Sequence, residues 1–380
     1  MNSEENEHKK VLLALSGGVD SSVAALLLKK AGYDVTAATM KFHVNDAVDA
    51  AQAESIQYAR DVCEALGIEH LVFDFTEVFR KNVIEYFVES YENAETPNPC
   101  FICNKKIKFG AFLEKALSLG FDAVATGHYA KIVYDTNARR YSLLAQADNP
   151  KDQSYFLAYL NQAQLSKIIF PLADLTKPEV KKIARDNNLK TAVRKESQDI
   201  CFVEDGNYAQ VVESFSHKSF PPGEFLSRDG KRLGMHRGIH RYTIGQRRGL
   251  HIATGEAVYV LEKRLAQNKI IVAERSELYC KSLSAKHINF IATELLEQLR
   301  HGDVELHGKT RYRSTVKKCL VKKIDEIFFT CFSPPALSDS ATLHVEFLEP
   351  DFAVAAGQAL VLYRNDEVLA SGIITNANMG

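Results

Sequence analysis

Residues 16–22, with the sequence Ser-Gly-Gly-Val-Asp-Ser-Ser, constrain this chain more than any other stretch. They follow an apolar, strand-like run at 11–15 and precede a helix-like run at 23–28. A glycine-rich turn at this junction leaves backbone N–H groups free at the helix N-terminus, where the helix dipole favours an anion. No Gly-Lys-Ser/Thr follows, so the turn is not a Walker A loop. The sequence predicts a phosphate-binding loop of another type, and the alternative is an ordinary turn capped by Ser or Asp.

The first half of the chain alternates strand-like and helix-like segments. Strands are predicted at 35–40, 70–75 and 123–126, and helices at 50–66, 77–92 and 105–119. This alternation is typical of an α/β fold with a doubly wound parallel sheet. Ligands bind such sheets at the carboxyl ends of the strands, which is where the 16–22 turn, Met40 and Gly127 fall.

Length and composition predict a multidomain protein without a strong net charge. The chain has 380 residues and a net charge of −1, so a nucleic-acid surface must be a local patch rather than a general excess of cations. We predict a polar tail at 1–10, an α/β catalytic domain at 11–205, a small basic central domain at 206–280 and an all-β barrel at 281–380. The polar N-terminus and the absence of a long apolar run predict a cytoplasmic location without a membrane span.

The chain has seven cysteines, and three of them stand out from the rest. An odd number in a cytoplasmic protein argues against a disulfide framework. Cys63, Cys280, Cys319 and Cys331 lie in apolar patterns and are expected to pack in cores.

Cys100 and Cys103 form a Cys-x-x-Cys pair in a loop with two prolines, and Cys201 follows the polar run 195–199. Asn104 is predicted to cap the next helix, and a thiol at a helix N-terminus is expected to have a lowered pKa. A redox pair and half of a zinc site are the alternatives. No second Cys-x-x-Cys and no His-x-x-x-His completes a zinc site in the sequence.

Several motifs together resemble the tRNA-uridine 2-sulfurtransferases, the bacterial 2-thiouridylases of the wobble uridine. The 16–22 turn resembles the pyrophosphate loop of N-type ATP pyrophosphatases. The other matching stretches are 96–105, 125–129, 151–156, 197–202, 243–250 and 309–313, so the resemblance covers nearly the whole chain.

The resemblance implies a role for each matching residue. The ATP-binding residues would be Ala14, Leu15, Ser16, Gly17, Gly18, Val19, Asp20, Ser21, Met40 and Gly127. Cys201 would carry sulfur as a persulfide, with Cys103 as the partner thiol that closes a transient disulfide. The target base would be bordered by Asn98, Pro99 and Cys100. The tRNA contacts would be His128, Lys151, Asp152, Gln153, Arg311, Tyr312 and Gln358. A hydrogen-bonded loop histidine is the structural alternative for His128, and solvated strand residues are the alternative for Arg311 and Tyr312.

The implied reaction is ATP-dependent 2-thiolation of the wobble uridine, with Mg²⁺ accompanying ATP. The uridine C2 oxygen is adenylated, pyrophosphate leaves, and persulfide sulfur displaces AMP. The partners would be the tRNA anticodon stem-loop and a sulfur donor, either a sulfur-relay protein or a cysteine desulfurase. Another pyrophosphatase ligase, such as an ammonia-using synthetase, and an RNA-binding protein that holds ATP structurally are the alternatives.

The chain departs from the family pattern at Cys100, where the family often has Asp. The family assigns that carboxylate a general acid/base role, which a thiol puts in doubt. Cys100, Cys103 and Cys201 could instead hold an iron–sulfur cluster, in a metal-dependent variant of the same thiolation.

Overall fold

A computed structural model of the chain describes residues 9–146, 149–194, 200–203, 206–324, 327–328, 336–337 and 341–379. The chain divides into two compact units that are not continuous in sequence. The first comprises Met1–Val83, Cys100–Glu204 and Asp366–Val368, and the second comprises Ile84–Pro99, Asp205–Asn365 and Leu369–Gly380. The predicted run 195–199 and Cys331 lie outside the described residues. The predicted domain boundaries at 205 and 280 stay predictions.

The first unit is built on a parallel sheet of five strands in the order β3-β2-β1-β4-β7. Leu13 of β1 pairs with Ala37 of β2 on one side and with Ala125 of β4 on the other. These central strands are short apolar runs, as expected of strands that are covered on both faces. The predicted α/β fold with a parallel sheet is confirmed. The strand bounds are β1 Lys10–Ala14, β2 Asp34–Lys41, β3 Glu69–Asp74, β4 Ala123–Ala125 and β7 Ile168–Ile169.

Local signals in the sequence set the helices that flank this sheet. Helix α2 begins after Asn45, whose side chain accepts a hydrogen bond from Val48 N at 2.8 Å, and ends at Gly67 with φ of 62°. Helix α9 begins after Thr176 in a capping box closed by Glu179. The α-helices of this unit are α1 Val19–Lys30, α2 Asp46–Leu66, α3 Thr76–Phe79, α5 Pro99–Cys103 (from Cys100 onward), α6 Phe112–Ser118, α7 Ser154–Leu157, α8 Gln162–Leu165 and α9 Lys177–Asp186.

Two predicted helices are interrupted by π-helical turns. Arg80–Ile84 separates α3 from α4 (Glu85–Glu92, in the second unit), and Asn104–Ala111 separates α5 from α6. The predicted cap at Asn104 is wrong. The helical path begins earlier, at Pro99, because proline fits a first helical turn that needs no N–H. Asn104 is buried inside the path, and its Nδ2 donates to Phe156 O at 3.0 Å.

A hairpin and a short 3₁₀ turn complete the first unit. Strands β5 (Lys131–Asp135) and β6 (Arg140–Leu144) form the hairpin, and β6 pairs with Glu367 and Val368. Arg140 Nη1 lies 2.5 Å from Glu367 Oε1. The 3₁₀ turn is Lys190–Val193.

The second unit contains a four-stranded sheet and a closed antiparallel barrel. The sheet has the order β10-β11-β8-β9, and the six barrel strands run β12-β17-β14-β13-β18-β19, with β19 pairing back to β12. The predicted barrel is confirmed, as is the turn at Asn365-Asp366, where Asn365 has φ of 52°.

The strand bounds of the second unit are β8 Gly223–Ser227, β9 Arg232–His236, β10 Tyr259–Arg264, β11 Lys269–Ala273, β12 Tyr279–Phe290, β13 Val304–Lys309, β14 Lys317–Val321, β15 Ile327–Phe328, β16 Ala336–Leu337, β17 Leu343–Phe352, β18 Ala359–Arg364 and β19 Glu367–Met379. Its helices, besides α4, are α10 Tyr208–Phe215 and α11 Thr293–His301, with 3₁₀ turns at Ile239–Arg241, Leu265–Gln267 and Arg275–Leu278.

Three of the predicted core cysteines are buried as expected. Cys63 lies in the core of the first unit, and Cys280 and Cys319 lie inside the barrel. Along the parts of the chain that the structure describes, no helix combines the length and apolar character needed to cross a membrane.

Candidate functional site

A cavity of about 540 Å³ opens in the first unit at the carboxyl ends of β1, β2 and β4. Its volume falls in the range of small-molecule and cofactor sites. All predicted ATP residues except Gly17 line it, together with Cys103 and Cys201. The further lining residues are Thr39, Phe42, Val48, Ala51, Gln52, Ser55, Ile107, Lys108, Thr126, His128, Tyr129, Lys151, Gln153 and Arg194.

The loop from Ser16 to Ser21 enters α1 without a side-chain cap. Gly18 is the N-cap residue, and no side chain bonds to the first amides of the helix. The hydroxyls of Ser21 and Ser22 donate instead to Gly18 O, at 3.1 and 2.8 Å. The alternative of a turn capped by Ser or Asp is therefore wrong, and the helix N-terminus keeps its donors for an anion.

Two glycines are required by close backbone packing around this loop. Gly17 has φ of 68°, and a Cβ there would lie 2.2 Å from Ser55 O. A Cβ on Gly127 would lie 2.8 Å from Asp20 C and from Ser21 N. Real Cβ atoms do not approach backbone this closely, so a side chain at either position would displace the loop.

Asp20, in the first turn of α1, is held by two side chains from later in the chain. Lys177 Nζ donates to Asp20 Oδ1 at 2.7 Å and to Oδ2 at 2.8 Å, and Tyr129 OH donates to Oδ1 at 2.6 Å. The Lys177 side chain is 10% exposed and the Asp20 side chain 32%. Asp20 thus links the loop at 16–21 to α9 and to the segment after β4.

Magnesium does not fit Asp20 as a protein ligand. Mg²⁺ prefers carboxylate oxygens and retained waters in a near-octahedral arrangement. Asp20 is the acidic residue among those that line the cavity. Its two carboxylate oxygens already accept three hydrogen bonds, from Lys177 and Tyr129. Lys108, Lys151 and Arg194 make the described cavity wall cationic, which suits a polyphosphate.

Arg194 forms hydrogen bonds with the loop and with the helix α2. Its Nη1 donates to Gly17 O at 2.8 Å and its Nη2 donates to Ser55 Oγ at 2.7 Å. The guanidinium carbon also lies 4.7 Å from the centre of the Tyr58 ring. In the sequence, Arg194 lies seven residues before Cys201.

The three cysteines Cys100, Cys103 and Cys201 act electrostatically on one another. The expectation of lowered thiol pKa values is wrong. Burial raises the pKa of Cys103 to about 11, and burial together with the charges of Cys103 and Cys100 raises that of Cys201 to about 12. Burial also raises the pKa of Cys100. Loss of hydration outweighs the helix N-terminus here because the thiolate is the charged form.

Cys201 is exposed as a residue and also lines the cavity, where loss of hydration raises the pKa of its thiol. Within the described part of the chain, no three His, Cys, Asp or Glu side chains converge in an arrangement that would hold a metal ion. The iron–sulfur alternative stays a prediction.

Of the predicted tRNA contacts in the first unit, His128, Lys151 and Gln153 line the cavity. Burial and nearby Lys108 lower the pKa of His128 well below its ordinary value, so its imidazole is neutral at neutral pH. Gln153 Oε1 accepts from Tyr129 N at 3.0 Å. Asp152 lies outside the lining set, and its Oδ2 accepts from Ser154 Oγ at 2.7 Å. Asp152 therefore stabilises the loop that presents its two neighbours.

The remaining predicted residues lie in the second unit. Asn98 and Pro99 follow a loop that Gln358 fixes, since Gln358 Nε2 donates to Thr96 O at 2.8 Å and to Pro97 O at 3.1 Å. Gln358 thus has a structural contact that its predicted role in binding tRNA did not anticipate.

Arg311 and Tyr312 lie in the turn between β13 and β14, not in a strand. Arg311 Cζ is 5.8 Å from the centre of the Phe352 ring, and Lys309 Nζ is 5.7 Å from that of Tyr312.

The predicted central domain has a basic cluster at residues 228–248, and several cations of this cluster already have acidic partners. Arg228 Nη1 lies 2.6 Å from Glu277 Oε2, Arg232 Nε lies 3.2 Å from Glu224 Oε1, and Arg241 pairs with Glu213. His236 and His240 are buried. The net positive charge of this cluster is therefore smaller than the sequence suggests, and its contact with tRNA stays a prediction.

Three residues near the site were missed by sequence reasoning. Lys108 and Arg194 line the cavity, and Lys177, which is not a lining residue, donates a hydrogen bond to Asp20. Lys108 follows the predicted Cys-x-x-Cys loop, and Arg194 precedes the predicted Ser-Gln-Asp run, so their positions beside motifs were a usable signal. Lys177 had no such signal, because a lysine after a helix cap is usually solvated.

Comparison with known proteins agrees with this architecture. Residues 9–205 match the family described as tRNA methyl transferase HUP domain, 210–274 its PRC-barrel domain, and 280–374 the aminomethyltransferase beta-barrel domain. The tRNA-specific 2-thiouridylase MnmA of Treponema denticola is 46% identical over 368 residues, covering 96% of this chain and 97% of that protein.

Further relatives with the same description show similar coverage. The protein of Carboxydothermus hydrogenoformans is 40% identical over 374 residues, covering 96% of this chain and 97% of its own length. That of Clostridioides difficile is 39% identical over 372 residues, covering 97% of this chain and 98% of its own length. On this likeness along nearly its whole length, the chain belongs to the tRNA-specific 2-thiouridylase (MnmA) family.

Proposed function

We propose that this chain is an ATP-dependent tRNA-uridine 2-sulfurtransferase that acts on the wobble uridine. One observation carries the proposal: the uncapped phosphate loop and two cysteines distant in sequence, Cys103 and Cys201, line a single cavity. A phosphate site beside a thiol pair is what activation of an oxygen followed by sulfur attack requires.

In the activation step, the uridine C2 oxygen attacks the α-phosphorus of ATP. The bond between the α-phosphorus and the bridging oxygen breaks, and pyrophosphate leaves with the electron pair. The free amides of α1 and the cations Lys108, Lys151 and Arg194 offer donors and positive charge to the departing phosphates. Mg²⁺ would enter with the phosphates of ATP, since Asp20 is already engaged.

In the transfer step, the terminal sulfur of a persulfide on Cys201 attacks C2, and AMP leaves. The Cys103 thiolate then attacks the Cys201 sulfur of the S–S bond. The electron pair of that bond passes to the sulfur on C2, which becomes the 2-thio group, and Cys103 and Cys201 are joined by a disulfide. A cellular dithiol reduces this disulfide by exchange and is itself oxidised.

The proposal also includes contacts with tRNA. His128, Lys151 and Gln153 would meet the target nucleotide, Asn98, Pro99 and Cys100 would border the base, and Arg311 and Tyr312 would bind the backbone. Uridine must leave its stack to enter a cavity, and an anticodon loop allows this at lower cost than a duplex. We propose that a sulfur-relay protein or a cysteine desulfurase loads Cys201, in the cytoplasm.

The matched family is described as a tRNA methyl transferase, but the residues that line the cavity support methyl transfer less well than sulfur transfer. A methyltransferase needs one nucleophile or base beside its cofactor, whereas this cavity presents two thiols beside a phosphate loop. An ammonia-using ligase needs no thiol pair either.

The test separates activation from sulfur transfer. Cys201→Ser is expected to abolish formation of 2-thiouridine while tRNA-dependent release of pyrophosphate continues, because activation precedes sulfur attack. In the wild type loaded by a persulfide donor, mass spectrometry of peptides is expected to find about 32 Da, one sulfur atom, added to Cys201.

Cys63→Ala is the matched control, since Cys63 lies in the core away from the cavity. Normal thiolation by Cys201→Ser, or added sulfur found on Cys280 or Cys319 instead, would refute the proposal.

A further inference from the structure

The thiol pair poses an electrostatic problem that the proposed reaction leaves open. A sulfur nucleophile must be anionic, yet burial favours the neutral thiol at both Cys103 and Cys201. Such a site needs a cation directed at the sulfur atoms.

The geometry points to Lys108 as the cation that stabilises the thiolate of Cys103. This inference rests on the proposed use of Cys103 as a sulfur-transfer nucleophile. Lys108 and Cys103 line the same cavity, and Cys201 lines it too. Lys108 lies outside both the loop at 16–22 and the Cys-x-x-Cys motif.

The π-helical turn Asn104–Ala111 brings Lys108 to the side of the helix that carries Cys103. Lys108 is the fifth residue after Cys103. In an α-helix with 3.6 residues per turn, five residues rotate by about 500°, which places the fifth about 140° away from the first. A π-helical turn bonds residue i to residue i+5 and brings the fifth residue nearly above the first.

The hydrogen-bonding pattern confirms this wider turn. The N–H of Phe112, which ends the segment, donates to Ile107 O, five residues earlier. Turns of this kind occur often at functional sites, because one extra residue redirects a side chain. Here the redirected side chain is that of Lys108, which lines the same cavity as Cys103.

His128 holds the ammonium in place. Lys108 Nζ lies 3.4 Å from His128 Nε2, and His128 Nδ1 lies 2.6 Å from Thr126 Oγ1. An ammonium has donors only, so Nε2 accepts from Lys108 and Nδ1 carries the ring hydrogen. Because the pKa of His128 is lowered, the imidazole is neutral and accepts from Lys108 without adding a second positive charge.

The other charged groups that line the cavity are Asp20, Lys151 and Arg194, and Lys108 is the cation among the lining residues that acts on the thiols of Cys100, Cys103 and Cys201. Asp20 is neutralised by Lys177, and Arg194 is bonded to Gly17 O and Ser55 Oγ. The pKa values agree with the geometry. Burial has the largest effect on the pKa of Cys100 and of Cys103, and the charge of Lys108 has the second largest, which lowers both pKa values. Lys108 also lowers the pKa of Cys201.

Alkylation of the free enzyme tests this inference without ATP or tRNA. The full-length, reduced protein is treated with iodoacetamide over a series of pH values, and the rate at each cysteine is read by mass spectrometry. Lys108→Met is expected to slow alkylation of Cys103 about tenfold at mildly alkaline pH, the loss of thiolate that one pKa unit produces. Lys108→Arg is expected to restore most of the rate.

Lys106→Met is the matched control, because Lys106 is exposed on the same π-helical turn and does not line the cavity. An unchanged Cys103 rate in a folded Lys108→Met, or an equal loss in Lys106→Met, would overturn the inference. If Lys108→Met proves unstable, Lys108→Gln gives the same comparison. The result is independent of whether Cys201→Ser loses thiolation, so failure of this inference and failure of the proposed function are distinguishable.

Discussion

The ion pair between Asp20 and Lys177 makes Asp20→Ala a change in the fold as well as in the phosphate loop. Lys177 is nearly buried, and Asp20 accepts from it through both oxygens. Removing the carboxylate leaves an ammonium in a poorly hydrated place without the charge that offsets it. We expect Asp20→Ala to destabilise α1 and to stop tRNA-dependent release of pyrophosphate.

The expected magnitude lies between the limits for exposed and buried pairs. An exposed pair contributes about 0–1 kcal/mol, and breaking a buried one costs about 3–5 kcal/mol. Because a third of the Asp20 side chain meets solvent, we take about 2 kcal/mol for the pair. The lost hydrogen bond from Tyr129 adds about 1 kcal/mol. The sum, about 3 kcal/mol, corresponds to roughly a hundredfold change in an opening equilibrium.

Hydrogen–deuterium exchange of peptides from α1 measures this opening directly. Asp20→Ala is expected to reduce protection about a hundredfold, and the double variant Asp20→Ala/Lys177→Met is expected to recover most of the loss, since neither charge then remains. Additive effects of the two single substitutions would show that the pair is not coupled and would refute the reasoning.

Three further predictions concern other parts of the chain. Arg311→Ala is expected to weaken all tRNAs alike and to reduce the slope of log affinity against log salt by roughly 0.7–0.9, whereas Arg300→Ala, paired with Glu297, is expected to leave the slope unchanged. Gly357→Ala is expected to lower the free energy of unfolding by about 2 kcal/mol in urea titrations, because Gly357 has φ of 89° and a Cβ would lie 2.9 Å from Thr96 O. Gly302→Ala, with open space around its Cβ, is the control and is expected to have little effect. Cys100→Asp is expected to keep thiolation activity in air and without iron; loss of activity that iron and sulfide restore would favour the cluster alternative.

Local patterns in the sequence were enough to predict the sheet, the glycine-rich turn between β1 and α1, and the barrel. The strand β1 and the turn after it are fixed by neighbouring residues, because glycine conformation and apolar runs act over a few positions. The turn at Asn365-Asp366 was recognised for the same reason. These features need no knowledge of which distant segments meet.

The ionisation of the thiols was not predictable in the same way. A helix N-terminus can be read from a few residues and suggests a lowered pKa for Cys100 and Cys103. Burial depends on segments far along the chain, and it acts in the opposite direction with larger effect. The π-helical turn at 104–111 was missed likewise, since its sequence pattern is that of an ordinary helix.

The conformation of the loop at 16–21 is not set by its own residues alone, because it also depends on residues that follow β4. Tyr129 and Lys177 hold Asp20, and Arg194 holds Gly17 O. A Walker A loop contains a lysine, whereas residues 16–22 contain none. The positive charge next to Asp20 comes instead from Lys177, the first residue of α9. The conformation of the loop therefore depends on the pairing of β1 with β4 and on the packing of α9 against α1. It follows that ATP binding should stabilise α9 and the segment of Arg194 as well as α1, because a ligand that binds the formed loop stabilises every contact that the loop requires.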